Sequence, residues 1–214
     1  MADNHFTHKK DPHYKKAKKE GYRARSAYKL LDIQKRFNIF KRSFYILDLG
    51  SAPGSWLQVS KKLAEENLEK YKDQYYHRDH YKVMGADIKK VSPIDNIYIV
   101  KVDITKSEFQ EQIDSYFQNK LDLILSDASI NKIGNKFTDH LRQIKFCYKI
   151  LDLAKKNLKV KGKMVMKLFF GKYSEELTRK VKREFRIVKS YKPLSSKKRS
   201  NEMYLICLGK KFCT

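Results

Sequence analysis

The stretch Tyr45-Ile-Leu-Asp-Leu-Gly-Ser-Ala-Pro-Gly-Ser-Trp56 constrains the fold more than any other part of the chain. An apolar run from Phe44 to Leu49, too short for a helix of its own, ends at Gly50, small residues, Pro53 and Gly54, and an amphipathic segment then starts at Trp56. This pattern predicts a buried strand, a tight turn and the start of a helix. Glycines at such a turn let the backbone approach a ligand closely, and the open N–H groups of the following helix face the same space. A small polar ligand is therefore expected at Gly50 and Gly54.

The turn narrows the choice of ligand. Ala52 stands where a dinucleotide fingerprint needs its second glycine, which disfavours a pyrophosphate. Neither Gly162-Lys163 nor Gly171-Lys172 has the upstream glycine or the following hydroxyl of a Walker loop. Acidic residues at Asp48, before the glycines, and at Asp87, at the end of the next strand, suit a ligand with ribose hydroxyls and positive charge better than a phosphate. S-adenosyl-L-methionine, a sulfonium nucleoside without phosphate, meets both conditions.

Charge separates the chain into parts. The 214 residues hold 48 basic and 24 acidic side chains, a net +24. Residues 1–43 carry 13 basic and 4 acidic groups, residues 155–214 carry 19 and 4, and residues 44–154 carry 16 of each. The middle that holds the ligand turn is thus neutral, and both ends are strongly basic. Such ends suit a polyanion, and the interleaved Tyr14, Tyr22, Tyr28 and Tyr191 offer stacking surfaces beside the cations, so nucleic acid is the expected partner. A small-molecule enzyme would not need this distribution. Cys147, Cys207 and Cys213 contain no C-x-x-C pair, so neither a zinc framework nor a disulfide framework is expected. His77-Arg-Asp-His80 reads as polar residues facing water, two histidines without further ligands, and no metal is expected. The sequence has no apolar run of membrane-spanning length and no secretory leader pattern. An intracellular monomer is expected, with cytoplasm, nucleus and organelle left open.

Periodicity predicts strands alternating with helices. Residues 1–13 read as a flexible tail and Tyr14–Phe37 as one basic amphipathic helix, within a basic helical segment spanning 14–43. Strands are expected at Phe44–Leu49, Lys82–Ala86, Ile97–Val102, Leu121–Leu125, Lys163–Phe169, Arg186–Tyr191 and Met203–Gly209. Helices are expected at Trp56–Glu66, Ser107–Phe117, Thr138–Leu158 and Ser174–Phe185, with Asn67–Tyr81 as a surface insertion. The fold class is α/β: one domain over 14–212, built on a mostly parallel seven-stranded sheet with helices on both faces, the adjacent last pair of strands making an antiparallel addition at one edge. Asp48, Asp87, Asp103 and Asp127 then fall at successive strand ends, the rim where open α/β sheets bind ligands. Asp87 is assigned to ribose hydroxyls, Asp103 to an adenine amino group, and Asp127 to the methionine end or the reacting group.

Five blocks, read together, resemble a known family: Gly21-Tyr-Arg-Ala-Arg-Ser-Ala-Tyr-Lys-Leu30, Asp48-Leu-Gly-Ser-Ala-Pro-Gly-Ser-Trp56, Leu125-Ser-Asp-Ala128, Val165-Met-Lys-Leu-Phe169 and Ser200-Asn-Glu-Met-Tyr204. The chain is similar to the FtsJ (RrmJ) ribose 2′-O-methyltransferases from about Tyr14 to Phe212. The resemblance implies a Rossmann-like methyltransferase fold and a Lys-Asp-Lys-Glu tetrad at Lys29, Asp127, Lys167 and Glu202. It also implies contacts to S-adenosyl-L-methionine at Gly54, Trp56, Asp87, Asp103 and Asp127. Ser129-Ile130-Asn131 stands where members usually have Ala-Pro-Asn, and Ser55 replaces a glycine. The residues support the tetrad independently, because Lys167 is a lone cation in an apolar strand, where burial without purpose would be costly. A lysine can accept a hydroxyl proton only as the free amine. The expected activity is S-adenosyl-L-methionine-dependent rRNA uridine-2′-O-methylation, with ribosomal RNA or the large ribosomal subunit as partner. Methylation of a tRNA ribose is the alternative, and a non-catalytic basic RNA-binding protein is a more distant one.

Overall fold

The structure is a computed structural model describing residues 12–71, 79–131, 133–196 and 200–212. Its elements in order are α1 (Pro12–Lys19), α2 (Ala27–Phe37), β1 (Tyr45–Leu49), α3 (Ser55–Lys70), β2 (Lys82–Asp87), β3 (Tyr98–Lys101), α4 (Glu108–Phe117), β4 (Leu121–Ser126), α5 (Lys136–Asn157), β5 (Leu158–Phe169), α6 (Ser174–Glu184), β6 (Phe185–Tyr191) and β7 (Glu202–Lys210). The strands form one sheet in the order β3-β2-β1-β4-β5-β7-β6. All pairings are parallel except those of β7, which lies antiparallel between β5 and β6. The antiparallel strand is therefore interior, and β6 is the edge.

β1 lies between β2 and β4, and its five residues are all buried. A central strand covered on both faces has no polar side to alternate, which is why Tyr45–Leu49 reads as a continuous apolar run around one acid. Alternate side chains feed two cores. Leu47, Ile124, Met166 and Leu205 pack on α4, α5 and α6, whereas Ile46, Leu123, Val165 and Tyr204 pack on α2 and α3. Successive connections run in opposite directions on either side of β1, so the carboxyl ends of β1 and β4 form the topological switch point, where this class of sheet places its ligand.

Three expectations need correction. The basic segment is not one helix from Tyr14, since α1 starts at Pro12, inside the expected tail, and the chain breaks between Lys19 and Ala27. Gly21 has φ +77°, its carbonyl accepts from Gln58 Nε2, and Gln58 Oε1 accepts from the Arg23 N–H. The Arg23 guanidinium also donates to the carbonyls of Pro53, Ser92 and Pro93. These tertiary bonds outweigh a helical periodicity that was sound locally. Second, α3 runs past the expected start of the insertion at Asn67. The buried Asn67 amide donates to the carbonyls of Phe40 and Ser43, 2.6 and 3.1 Å away, and so secures the approach to β1. The rest of the expected insertion falls largely on residues 72–78, outside the described residues, as do residues 1–11 of the expected tail. Third, β5 begins at Leu158, not Lys163, and passes through Lys161 at φ +66°.

Opposite the ligand end, Asp122 and Lys163 fasten the sheet. Asp122 Oδ2 accepts from the N–H groups of Phe44 and Tyr45, and its other oxygen pairs with Lys159. Lys163 Nζ donates to Ile39 O, Lys41 O and Ser43 Oγ. Burial, offset by Asp122, lowers the Lys163 ammonium from 10.5 to about 8. The unfolded chain therefore holds this proton over a range in which the folded protein has released it, so stability rises with pH between about 8 and 10.5. Below that window both states are protonated and the cost of burying the charge is fully present. Urea unfolding of the wild type and Lys163→Met across this range is expected to show an upward slope in the wild type that the variant lacks.

Candidate active site

A cleft of about 470 Å³ opens at the carboxyl ends of β1, β2 and β4, a size suited to a nucleoside-sized ligand. Gly50, Ala52, Asp87, Asp103 and Asp127 line it, with Ile88, Val102, Ile104 and Phe146 as apolar walls. Gly50 has φ +76°, and a Cβ there would come within 2.4 Å of the Ala128 Cβ, so only glycine lets the β1 turn close against the β4 turn. Asp87 is fixed by the backbone, with Oδ2 accepting from Ala52 N–H at 2.9 Å and Oδ1 from Lys89 N–H at 2.8 Å. It joins the ends of β1 and β2 into one wall. The Asp103 carboxylate is exposed, and hydrogen bonds from the Thr105 N–H and hydroxyl hold it below the usual carboxylate range.

Asp48 shows which ligand charge the cleft favours. Its side chain is fully buried, and neither oxygen has a hydrogen-bond partner among the described residues. Burial, followed by the charges of Asp127 and Asp87, pushes its carboxyl well above the usual range. The charges of Asp127 and Asp87 thus already weigh against a further anion at this turn, and at the open cleft, which both of them line, they favour a cation over a phosphate. Lys89 and Arg142 also line the cleft, and Arg142 donates to the Asn131 carbonyl. The residues present therefore fit a cationic nucleoside such as S-adenosyl-L-methionine. Its adenosine part has apolar walls, Asp87 and Asp103 within the same cleft, and its positive groups have the acidic end.

Next to the cleft, four elements bring together the residues of the expected tetrad. Lys29 from α2 donates to Glu202 at the start of β7. Lys167 from β5 donates to the carbonyl of Asp127 and lies 2.9 Å from its Oδ1. The two ion pairs share a hub, Tyr204, whose hydroxyl is 2.5 Å from Asp127 Oδ1 and 3.5 Å from Glu202 Oε1. Burial and these two carboxylates raise its phenol well above the ordinary range, so it stays a donor. Ser196 adds a 3.3 Å hydrogen bond to Glu202. The side chains of Lys29, Glu202, Lys167 and Asp127 are 10, 15, 8 and 18% exposed. They form a recessed polar floor.

Not every expected contact faces the cleft. Gly50, Asp87, Asp103 and Asp127 line it, but Gly54 and Trp56 do not. Gly54, at φ +108°, gives up its Cβ space to the Arg23 guanidinium. The Trp56 indole points into the α2–α3 interface, donating to Ser26 O at 2.9 Å and lying 5.9 Å from the Tyr204 ring. Burial of this ring supports α2 and thereby the position of Lys29. Sequence reasoning overlooked Tyr204 as a functional group, although it follows Glu202 by two residues on one strand and so shares its face. Nothing in the sequence marked Ser196 or the Arg23 clamp.

A mostly parallel sheet with a cation-favouring cleft at its switch point and a lysine–carboxylate cluster on the same rim has the plan of a Rossmann-like methyltransferase. The family model described as FtsJ-like methyltransferase matches residues 22–210, and the chain belongs to that family. Among curated proteins it is 39% identical over 201 residues to the ribosomal RNA large subunit methyltransferase E of Rickettsia bellii, covering 94% of this chain and 85% of that one. It is also 39% identical over 204 residues to the protein of that name from Rickettsia typhi. A crystal structure from Plasmodium falciparum, assigned as a ribosomal RNA methyltransferase, superposes with a TM-score of 0.72 at 31% identity over 88% of this chain and 98% of that one. The fibrillarin pre-rRNA processing protein of Methanococcus jannaschii shares the fold, with a TM-score of 0.52 at 15% identity.

Proposed function

We propose that the protein transfers a methyl group from S-adenosyl-L-methionine to a ribose 2′-hydroxyl, with a uridine of large-subunit ribosomal RNA as the target. The observation that carries this reading is the shared rim, with the acidic cleft and the Lys167–Asp127–Tyr204–Glu202–Lys29 cluster meeting at Asp127. The cofactor supplies an electrophilic methyl on a sulfonium. Lys29 and Glu202 would hold the incoming ribose, while Asp127 and Tyr204 fix Lys167 so that its nitrogen faces the 2′-oxygen. As the free amine Lys167 would take up the hydroxyl proton, and as the ammonium paired with Asp127 it would steady the attacking oxygen while that proton passes to solvent, the thioether S-adenosyl-L-homocysteine being the leaving group. Since such a methyl donor is already reactive, positioning supplies much of the rate. The basic ends of the chain and the names of the relatives support a ribosomal target.

The test is transfer of labelled methyl to isolated ribosomal large subunits, free rRNA and tRNA in parallel. Label in the subunit or rRNA is expected. Label confined to tRNA would replace the substrate, and none anywhere would remove the activity. Asp87→Ala is expected to raise the cofactor Kd by about 10- to 100-fold, through loss of a charge-assisted contact and of the wall it builds. Equilibrium dialysis measures this, and an unchanged Kd would refute the ribose-binding role.

A further inference from the structure

A second groove, of about 560 Å³, starts at the same rim and descends along the opposite face of the sheet, beside α6. Its floor is Leu168 and Met203, paired neighbours on β5 and β7 whose side chains alternate with those of Lys167 and Tyr204. One wall is the α6 stripe Glu175, Thr178, Arg179 and Lys182, spaced to lie on one helix face. At the top stands Phe170, 61% exposed, with its backbone held by an N–H bond of 2.9 Å to Asn201 O, beside Glu202.

We infer that this groove binds the single-stranded RNA next to the methylated nucleotide, with a base stacked on Phe170 and its phosphates held by Arg179 and Lys182. The inference rests on the proposed RNA methylation and adds the path of the substrate strand. The recessed tetrad cannot receive a ribose held in a regular duplex, so the target nucleotide must be splayed out, and its unstacked neighbours need a platform. Aromatic side chains serve this purpose for single-stranded RNA. Phe170 lies three residues beyond Lys167, about 10 Å along the strand, a span that an adjacent nucleotide covers. The side chains of Arg179 and Lys182 have no hydrogen bond or ion pair among the described residues, unlike that of Lys180, which lies 3.3 Å from Glu176. Residues 170–192 hold 8 basic and 3 acidic side chains, so an anionic strand is the complementary occupant even with Glu175 in the wall.

The experiment measures binding of fluorescein-labelled decauridylate over a salt series. Arg179→Ala/Lys182→Ala is expected to raise Kd about tenfold and to reduce the slope of log Kd against log salt by about 1.4, the value for two phosphate contacts on a single strand. Phe170→Ala is expected to raise Kd about 5- to 100-fold, and Phe170→Trp to restore it. Lys156→Ala/Lys161→Ala, which removes the same charge at the opposite end of the sheet, serves as control. The groove assignment is overturned if the groove variants match the wild type or the control, or if the wild type does not bind decauridylate at low salt. Methyl transfer to large subunits is assayed alongside. Wild-type transfer with an indifferent groove variant removes only the groove, whereas groove-dependent binding without any transfer removes only the proposed reaction.

Discussion

Lys167→Ala is expected to lower methyl transfer by about 10³-fold, the range over which a positioned proton-transfer group contributes, while the cofactor Kd stays within about twofold. The two effects separate because of where Lys167 sits. Among the described residues its nitrogen bonds to the Asp127 carbonyl and carboxylate, and it does not line the cofactor cleft. Removing it leaves Asp127 held by Tyr204, so the acidic end of the cleft persists. Lys167→Arg is not expected to rescue, because the planar guanidinium needs more room and does not give up its proton. Single-turnover transfer and equilibrium dialysis on the same preparations check both halves. A variant that keeps wild-type turnover would remove Lys167 from the chemistry.

The largest effect on stability is expected at the other end of the sheet. Asp122→Ala should destabilise the protein by about 3–5 kcal/mol, because it strips the partner from two buried N–H groups and from Lys159 at once. In a chain of this size that corresponds to a fall in Tm of roughly 10 °C. Lys159→Met should cost less, since the Asp122 carboxylate keeps the N–H groups of Phe44 and Tyr45. Urea unfolding of both variants measures the difference. A loss of under about 1 kcal/mol for Asp122→Ala would show that the bond between β4 and the entry to β1 is dispensable, and with it the account of how β1 is placed.

The contrast between these sites shows what the sequence could reveal. β1 and its turn were legible because a strand buried on both faces and a glycine-bounded turn leave an unbroken local pattern. The strand-end acids were legible because α/β topology sends the carboxyl ends of the parallel strands to one rim. Lys29 and Glu202 were accessible only through the family resemblance: they are 173 residues apart, and no local pattern marks a lysine on α2 as the partner of an acid on β7. The break between α1 and α2 was hidden because its cause lies in Gln58 and in the carbonyls of Pro53, Ser92 and Pro93, which the periodicity of residues 14–37 cannot register. The place of the Trp56 indole was hidden for a related reason. The resemblance implies a cofactor contact at Trp56, and its indole buries itself against Ser26 and Tyr204 and so seats the helix that carries Lys29.

Tyr204 ties these observations together. It sits opposite Lys167 in the β5–β7 register, packs near Trp56, and bonds to carboxylates of both ion pairs. The antiparallel insertion of β7 beside β5 makes this possible, since it brings the start of β7 and the end of β5 to the same rim as the cofactor cleft. The fold feature and the chemistry are therefore one arrangement.

The most direct measurement is nucleoside analysis of the product. Large ribosomal subunits lacking the modification are incubated with the protein and S-adenosyl-L-methionine, and the rRNA is digested and resolved by mass spectrometry. The account predicts a single new 2′-O-methylated uridine, absent with Lys167→Ala. A methyl group on a base, or a product formed equally well by that variant, would contradict it.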